Sequence, residues 1–180
     1  MRDRDAERIG IRLHAEGLVR GNFGNISIRE DQGFYIKRRN AYLDAPRELI
    51  FVPQEGAIPE EASRETIVHR EIYRTTPYRA VVHAHPPHAI ALSYISKEVR
   101  PQDCEGELLY PRIKVVEGVS GTHTLARTVA AALQNSPAVI VRGHGTFAAG
   151  ASLDEAYVLT SAVEHACRIL ILLRQIKESG

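Results

Sequence analysis

Three histidines lie where two short apolar segments of the chain end. His83 and His85 are two residues apart at the end of one segment, and His144 closely follows the other. Because alternate residues of a β-strand point to the same side, the side chains of His83 and His85 can reach one point. Three converging imidazoles are what a catalytic zinc-type site needs, with a fourth position left for an acidic ligand, water or substrate. The sequence therefore predicts a divalent-metal site at these histidines.

The elements that must position these histidines alternate between helical and strand patterns. Apolar spacing, capping residues and an alanine-rich stretch predict helices at 5–18, 63–75, 87–96, 120–133 or 122–133, and 152–177. Short apolar runs predict strands at 25–28, 34–36, 49–52, 80–84 and 138–141, the first two forming a hairpin. Ser63 is predicted to cap the second helix. Together these elements predict an α/β fold of α/β/α layers, with a mixed, largely antiparallel central sheet covered by helices.

Composition favours one ordinary globular domain over residues 1–180, because the length suits a single core and the net charge is only +1. Without a basic block, we expect no nucleic-acid partner, although the cluster Lys37–Arg39 is either a solvated loop or an anion site. Cys104 and Cys167 form no disulfide framework. The start of the chain is charged, unlike a signal peptide, and no stretch approaches a membrane span of ~20 apolar residues. We expect a cytoplasmic protein with no membrane partner.

Four sequence blocks, in order along the chain, carry a resemblance to a known family. They are Gly21–Ser27, Ser63–Glu65, His83–Ala89 and Gly143–Gly145, the last followed by a long predicted helix. In these blocks the chain resembles the class II aldolase/adducin family, whose members include fuculose-1-phosphate aldolases and ribulose-5-phosphate 4-epimerases. The resemblance extends over nearly the whole chain and implies the family's layered α/β fold.

The resemblance also implies a cofactor and an acid/base group. It implies one zinc or other divalent ion per subunit, held by the three histidines, with Glu65 able to ligate the resting metal and then transfer protons. The chemistry is sound, since a cation polarises ketose oxygens and a nearby carboxylate can move the proton that cleavage requires. The alternative for Glu65 is structural: an acidic residue in the first turn of a helix stabilises that helix.

An anion pocket is expected near the glycine-rich block. Glycines permit positive φ and close backbone approach, although a plain turn between helix and strand would need them too. The resemblance implies that this loop holds a substrate phosphate. Arg64 lies where the family has a second serine, and Arg39–Asn40 align with its Thr-Gly segment. Guanidinium groups bind phosphate or carboxylate bidentately. The predicted substrate-binding residues are Gly24, Asn25, Arg39, Asn40, Ser63 and Arg64.

The family's proton-donating tyrosine, contributed by a neighbouring subunit, has no clear counterpart. Glu117 aligns with it, and Tyr110 is the nearest tyrosine. We keep both as candidate catalytic residues. The resemblance further implies a homotetramer with cyclic fourfold symmetry and active sites at subunit boundaries.

The expected activity is metal-dependent retro-aldol cleavage of a phosphorylated ketose similar to fuculose 1-phosphate, giving dihydroxyacetone phosphate and an aldehyde. The ligand would be a small phosphorylated or acidic sugar. Epimerisation at C4, dehydration and decarboxylation remain open, because all start from similar metal-stabilised intermediates. A non-catalytic, adducin-like interaction domain is the alternative of another class, and the presence of Glu65 and the three histidines argues against it.

Overall fold

The computed structural model describes residues 2–45 and 49–179, and its centre is one eight-stranded sheet. The strands are β1 (Asn25–Glu30), β2 (Gly33–Lys37), β3 (Leu49–Pro53), β4 (Ala80–Ala84), β5 (Glu98–Val99), β6 (Ile113–Val116), β7 (Ala138–Val141) and β8 (Gly145–Gly150). Their order across the sheet is β3-β2-β1-β4-β8-β7-β6-β5. Among these strands the β6–β7 pair is parallel and the other neighbours are antiparallel. The predicted mixed, largely antiparallel sheet is confirmed.

Helices cover both faces of this sheet. They are α1 (Arg2–Ala15), α2 (Thr66–Thr75), α3 (Pro87–Ser93), α4 (Cys104–Leu109), α5 (His123–Leu133) and α6 (Leu153–Ser179). Successive residues of β4 show the layering: Val81 packs in the core under α2 and α5, and Val82 packs in the core under α1 and α6. Each such valine contributes about 1.5–3 kcal/mol by leaving water. The α/β/α layering follows from this alternation.

The helix α6 differs from expectation in its composition. Over Leu153–Glu178 it is long and apolar enough to cross a membrane, by length and composition only. The prediction that no segment approaches a membrane span is therefore wrong for this helix. A core helix passes the same test. In the fold α6 packs against β8, β4 and α3, and it buries Leu159 and Val163. Ser152 precedes it and accepts a hydrogen bond from the Glu155 amide at 3.2 Å, as the predicted cap requires.

The second helix begins later than predicted. The helix α2 starts at Thr66 with Glu65 in the N-cap position, so Ser63 is not its cap. Ser63 instead belongs to a turn, where its Oγ accepts from the Glu65 amide at 3.4 Å and its carbonyl accepts from the Thr66 amide at 3.1 Å. The helix is displaced because this turn satisfies the local backbone groups first. The turn places Glu65 at the end of α2 that faces the histidines.

Candidate metal centre

The sheet register brings the three histidines together. His83 is a buried residue of β4, opposite Asn25 of β1 and Phe147 of β8. His85 follows that strand directly, and His144 lies in the tight turn between β7 and β8, where its amide donates to the Val141 carbonyl at 3.0 Å. Since β8 pairs with both β7 and β4, this turn lies beside the end of β4.

A glycine next to His144 permits this close approach. A Cβ on Gly145 would lie 2.1 Å from the carbonyl oxygen of Ala84, a contact that no side chain could make. On the other side of His144, Gly143 has φ +66, in the left-handed region that favours glycine. The local sequence Gly-His-Gly therefore delivers His144 against the end of β4.

The three imidazoles form one group of potential metal ligands. One nitrogen from each of His83, His85 and His144 lies within 4.8 Å of the other two. The closest pair is Nε2 of His83 and Nε2 of His85, at 3.0 Å. Zinc–nitrogen bonds are about 2.0–2.1 Å long, so small side-chain adjustments would let all three nitrogens share one ion.

The hydrogen bonding of His83 fixes its proton on Nδ1, away from the other two histidines. Its Nδ1 lies 2.9 Å from the Thr146 carbonyl oxygen, which can only accept, so Nδ1 carries the proton. The lone pair of Nε2 then points towards the other two imidazoles. The ring also stacks on Phe147, with centroids 4.2 Å apart. A histidine whose one ring nitrogen is held by a carbonyl, with the other nitrogen directed at further imidazoles, is typical of metal ligands.

The protonation of the group also suits a metal. Burial lowers the pKa of His83 well below its usual value, and the neighbouring His85 and His144 lower it further. Burial likewise lowers the pKa of His85 to about 4. Both rings are thus neutral near pH 7, as metal ligands must be. Nδ1 of His144 is buried without a hydrogen-bond partner in the part of the chain that the structure describes, which is costly unless another group satisfies it. These residues fit a divalent cation.

Glu65 lies in the same cavity but outside this group of ligands. Its side chain is buried, and Oε1 accepts a hydrogen bond from the Ser120 hydroxyl. Oε2 is buried with no hydrogen-bond partner among the described residues. The group of mutually close ligand atoms contains the three imidazoles without the Glu65 carboxylate. The structure therefore brings Glu65 to the site and shows it bound to Ser120 instead of to the histidine group.

The cavity has a volume of about 510 Å³ and collects most of the predicted site residues. The predicted residues in its wall are Gly24, Asn25, Arg39, Asn40, Ser63, Arg64, Glu65, His83, His85 and His144. The sequence had not indicated the other four residues of the wall, Asn22, Phe23, Lys37 and Ser120, as individual site residues.

Glycine is required at the loop beside the histidines. Gly24 has φ +73, and a Cβ there would lie 2.7 Å from Cγ1 of Val19 and 2.9 Å from the His83 carbonyl oxygen. The adjacent Asn25 is buried, and its Oδ1 lacks a hydrogen-bond partner among the described residues. The loop therefore packs directly on the strand that carries His83 and presents an unsatisfied polar side chain.

Lys37 is the buried cation of the cavity. It is 2% exposed, and Nζ donates to the carbonyls of Asn22 at 2.6 Å and Ala41 at 2.8 Å. Burial lowers its pKa to about 8. The basic cluster is therefore divided: Lys37 lies inside the cavity, whereas Arg39 is exposed and its Nε donates to the Ala62 carbonyl at 3.2 Å. The basic cluster Lys37–Arg39, for which the sequence left an anion site open, was the available signal.

Two candidate catalytic residues lie outside the cavity. Tyr110 is fully buried in the core, where its hydroxyl donates to the Leu159 carbonyl at 2.9 Å and burial raises its pKa. The structure therefore removes Tyr110 as a proton donor of this site. Glu117 is exposed and pairs with Arg142 at 3.1 Å on the surface. Neither residue reaches the histidines of its own chain.

Comparison with known proteins identifies the family. Residues 5–171 match the sequence profile of the Class II Aldolase and Adducin N-terminal domain. This chain belongs to the class II aldolase and adducin family. The crystal structure of L-fuculose-1-phosphate aldolase from Thermus thermophilus superposes with a TM-score of 0.96 at 40% identity, covering 98% of this chain and 96% of that one. Class II aldolases use a divalent metal, and the histidine group lies in the cavity of this class II aldolase-family fold.

Two relatives of this chain carry the names of different enzymes. L-fuculose phosphate aldolase from Methanococcus vannielii is 30% identical over 87% of this chain and 88% of its own length. A 3,4-dihydroxyphthalate decarboxylase from Terrabacter is 29% identical over 92% of this chain and 77% of its own length. This class II aldolase-family enzyme therefore resembles both carbon–carbon lyases that act on sugar phosphates and one that acts on an aromatic acid.

Proposed function

We propose that this protein is a divalent-metal-dependent aldolase that cleaves a phosphorylated ketose similar to fuculose 1-phosphate into dihydroxyacetone phosphate and an aldehyde. The observation that carries the proposal is a single cavity containing three converging imidazoles, a buried carboxylate and a buried lysine. The resemblance to fuculose-phosphate aldolases over most of the chain supports the phosphorylated substrate.

The histidines would hold the metal ion in the wall of the cavity. His83, His85 and His144 are the proposed ligands, and zinc is the ion that their number and type favour. When bound, the ion would polarise the carbonyl and hydroxyl oxygens of the ketose. The Thr146 carbonyl and the Phe147 ring keep the His83 ring in place, so this ligand needs no reorganisation.

Glu65 is the proposed acid/base group. Retro-aldol cleavage removes a proton from the hydroxyl on the carbon that becomes the aldehyde, breaks the carbon–carbon bond, and returns a proton to the ketone fragment. Oε2 of Glu65 is buried and has no hydrogen-bond partner within residues 2–45 and 49–179, which leaves it available to accept a proton in the cavity. We also propose that Glu65 can serve as a ligand of the resting ion.

The glycine-rich loop beside the histidines and the turns that line the same cavity form the proposed anion pocket. Gly24 and Asn25 form its loop, and Ser63 and Asn40 lie on its wall with Arg39 and Arg64. Lys37, from the basic cluster that the sequence left open as an anion site, adds a cation, and its Nζ donates to the carbonyls of Asn22 and Ala41. A phosphate placed here would meet hydroxyl, amide, ammonium and guanidinium donors, which bind anions well.

We propose that the active enzyme is a cyclic homotetramer in which a neighbour contributes to each site. Glu117 supports this arrangement, because it is exposed and cannot reach the cavity of its own chain. Light scattering should report four chains; a monomer at assay concentration would contradict the arrangement.

The direct test is product identification with purified protein and zinc. We expect dihydroxyacetone phosphate from a phosphorylated ketose, measured with a coupled dehydrogenase, and no product after the protein is treated with chelator. The matched substrate control is the same ketose without its phosphate, which should turn over far more slowly. Equal turnover of both sugars would remove the phosphorylated substrate from the proposal and leave the lyase chemistry standing.

Decarboxylation is the second candidate, and the decarboxylase relative favours it. A carboxylate on an aromatic ring would suit the same cationic side chains of the cavity. Lys37, Arg39 and Arg64 could bind a carboxylate as well as a phosphate. Carbon dioxide release from dihydroxylated aromatic acids, measured beside the ketose assay, distinguishes the two reactions. A C4 epimerase would instead return an unfragmented sugar phosphate.

A further inference from the structure

A short loop in the wall of the cavity contributes one more polar side chain to the site. It is formed by residues 117–122, between β6 and α5. Thr122 caps α5: its Oγ1 accepts from the Leu125 amide at 3.2 Å and donates to the Val119 carbonyl at 2.7 Å. The loop is thus anchored at the start of a helix, and Ser120 is the residue that it turns towards Glu65.

Ser120 makes the two oxygens of the Glu65 carboxylate differ in their hydrogen bonding. Its hydroxyl donates to Oε1, while Oε2 remains buried without a hydrogen-bond partner among the residues that the structure describes. Hydrogen bonds from a hydroxyl to an ionised carboxylate are stronger than bonds between neutral groups. The carboxylate held in this way is absent from the group of mutually close metal ligands. While Oε1 keeps the Ser120 hydrogen bond, the carboxylate stays in the position that the structure shows, outside that group.

We propose that Ser120 is a positioning residue that holds Glu65 away from the metal ligands and leaves Oε2 as the proton-accepting oxygen. This proposal rests on the proposed function of Glu65 and adds the residue that controls its placement. Ser120 and the metal ion then compete for one carboxylate. Removing the hydroxyl should release Glu65 to the ion, which strengthens metal binding and misplaces the base.

Zinc titration of metal-depleted protein against a chromophoric chelator tests this competition without any substrate. We expect Ser120→Ala to bind zinc about three- to tenfold more tightly, the size of one charge-assisted hydrogen bond discounted for solvent exposure. Ser120→Thr keeps the hydroxyl and should retain the wild-type affinity. Thr128→Ala is the matched control, because this exposed hydroxyl lies on α5 and donates to the Thr124 carbonyl.

A double-mutant cycle decides whether the effect passes through Glu65. In a Glu65→Ala background, Ser120→Ala should leave zinc affinity unchanged, because no carboxylate remains to be released. An unchanged affinity in the single Ser120→Ala variant would overturn the proposal. An equal gain with and without Glu65 would overturn it as well, since the hydroxyl would then act on the metal site by another route.

Kinetics separate this proposal from the proposed function. With a turned-over ketose, Ser120→Ala should lower kcat more than it changes KM, and Ser120→Thr should restore kcat. A protein that cleaves no phosphorylated ketose, yet shows the coupling in zinc affinity, refutes the proposed reaction and leaves the positioning role intact. A wild-type protein that binds no zinc overturns both.

Discussion

The two groups of side chains that meet in the cavity are supported differently. Among the metal ligands, His83 belongs to a strand inside the sheet, bonded to the Thr146 carbonyl and stacked on Phe147. Among the proposed anion-binding residues, Arg39 and Arg64 are exposed and extend from turns. Groups on a packed strand hold one geometry, whereas groups on loops can change without disturbing the core. We therefore expect His83 to tolerate substitution least among these residues and the two arginines to tolerate it most.

The strongest test of this contrast removes a metal ligand. Replacing His83, His85 or His144 by Ala should sharply lower zinc occupancy and turnover, because only two imidazoles remain. Elemental analysis and the aldolase assay measure the two effects. His165→Ala, an exposed position on α6, should leave both unchanged. Full occupancy in all three cavity variants would defeat the metal assignment.

The next test concerns the proton. Glu65→Gln should fold normally and lose roughly 10²-fold or more in kcat, because an amide cannot accept a proton. Circular dichroism checks the fold, and steady-state kinetics gives kcat. Retained activity would move the base elsewhere, with Glu117 of a neighbouring chain as the next candidate.

Acid should lower the stability of the folded protein through His69. This fully buried residue of α2 bonds Ser27 through Nδ1 at 2.6 Å, and burial lowers its pKa to about 3. Below the unfolded value of about 6.5 the unfolded chain binds a proton that the folded chain does not. Stability therefore falls as pH decreases from about 6.5 towards 3, by on the order of 1.4 kcal/mol per pH unit.

Chemical denaturation of metal-depleted protein between pH 7 and pH 4 measures this dependence. His83 and His85 contribute with the same sign, so the comparison is between wild type and His69→Gln in the same buffers. The free energy of unfolding of the variant should fall less steeply with acid. Parallel curves would show that His69 does not contribute.

The smallest effects should come from the exposed arginines. Arg39→Ala and Arg64→Ala should each raise KM about three- to tenfold with little change in kcat, if the anion is held equally in the ground and transition states. Arg168→Ala, outside the cavity, controls for loss of positive charge. Unchanged kinetics in both cavity variants, with an uncharged sugar competing as well as any anion, would remove the anion pocket.

Much of the fold followed from local signals. The apolar run at 80–84 and the hairpin at 25–36 were recognisable, because their residues alternate or cluster as buried strands do. The strand β8 was missed because glycines bound it at Gly145 and Gly150 and its interior contains two alanines, a composition that strands usually avoid. It forms because β4 and β7 pair with it on both sides.

The site was predictable where residue type alone indicates chemistry. Imidazoles two residues apart on a strand indicate a metal site. Glycine beside asparagine indicates a loop whose backbone closely approaches other groups. Ser120 gave no such signal, since an exposed serine before a helix normally serves the helix itself. Its role depends on a contact with Glu65, which is distant in sequence and meets it through the packing of α2 beside α5.

The parallel β6–β7 pair has a consequence for how this enzyme can be diversified. Parallel strands end at the same edge of a sheet, so the segment 117–122 and the turn carrying His144 leave the sheet side by side. The connecting helix α5 returns the chain across the sheet to the start of β7. A change of length in the segment 117–122 would therefore move Ser120 relative to Glu65 while the strands and their histidines stay in register.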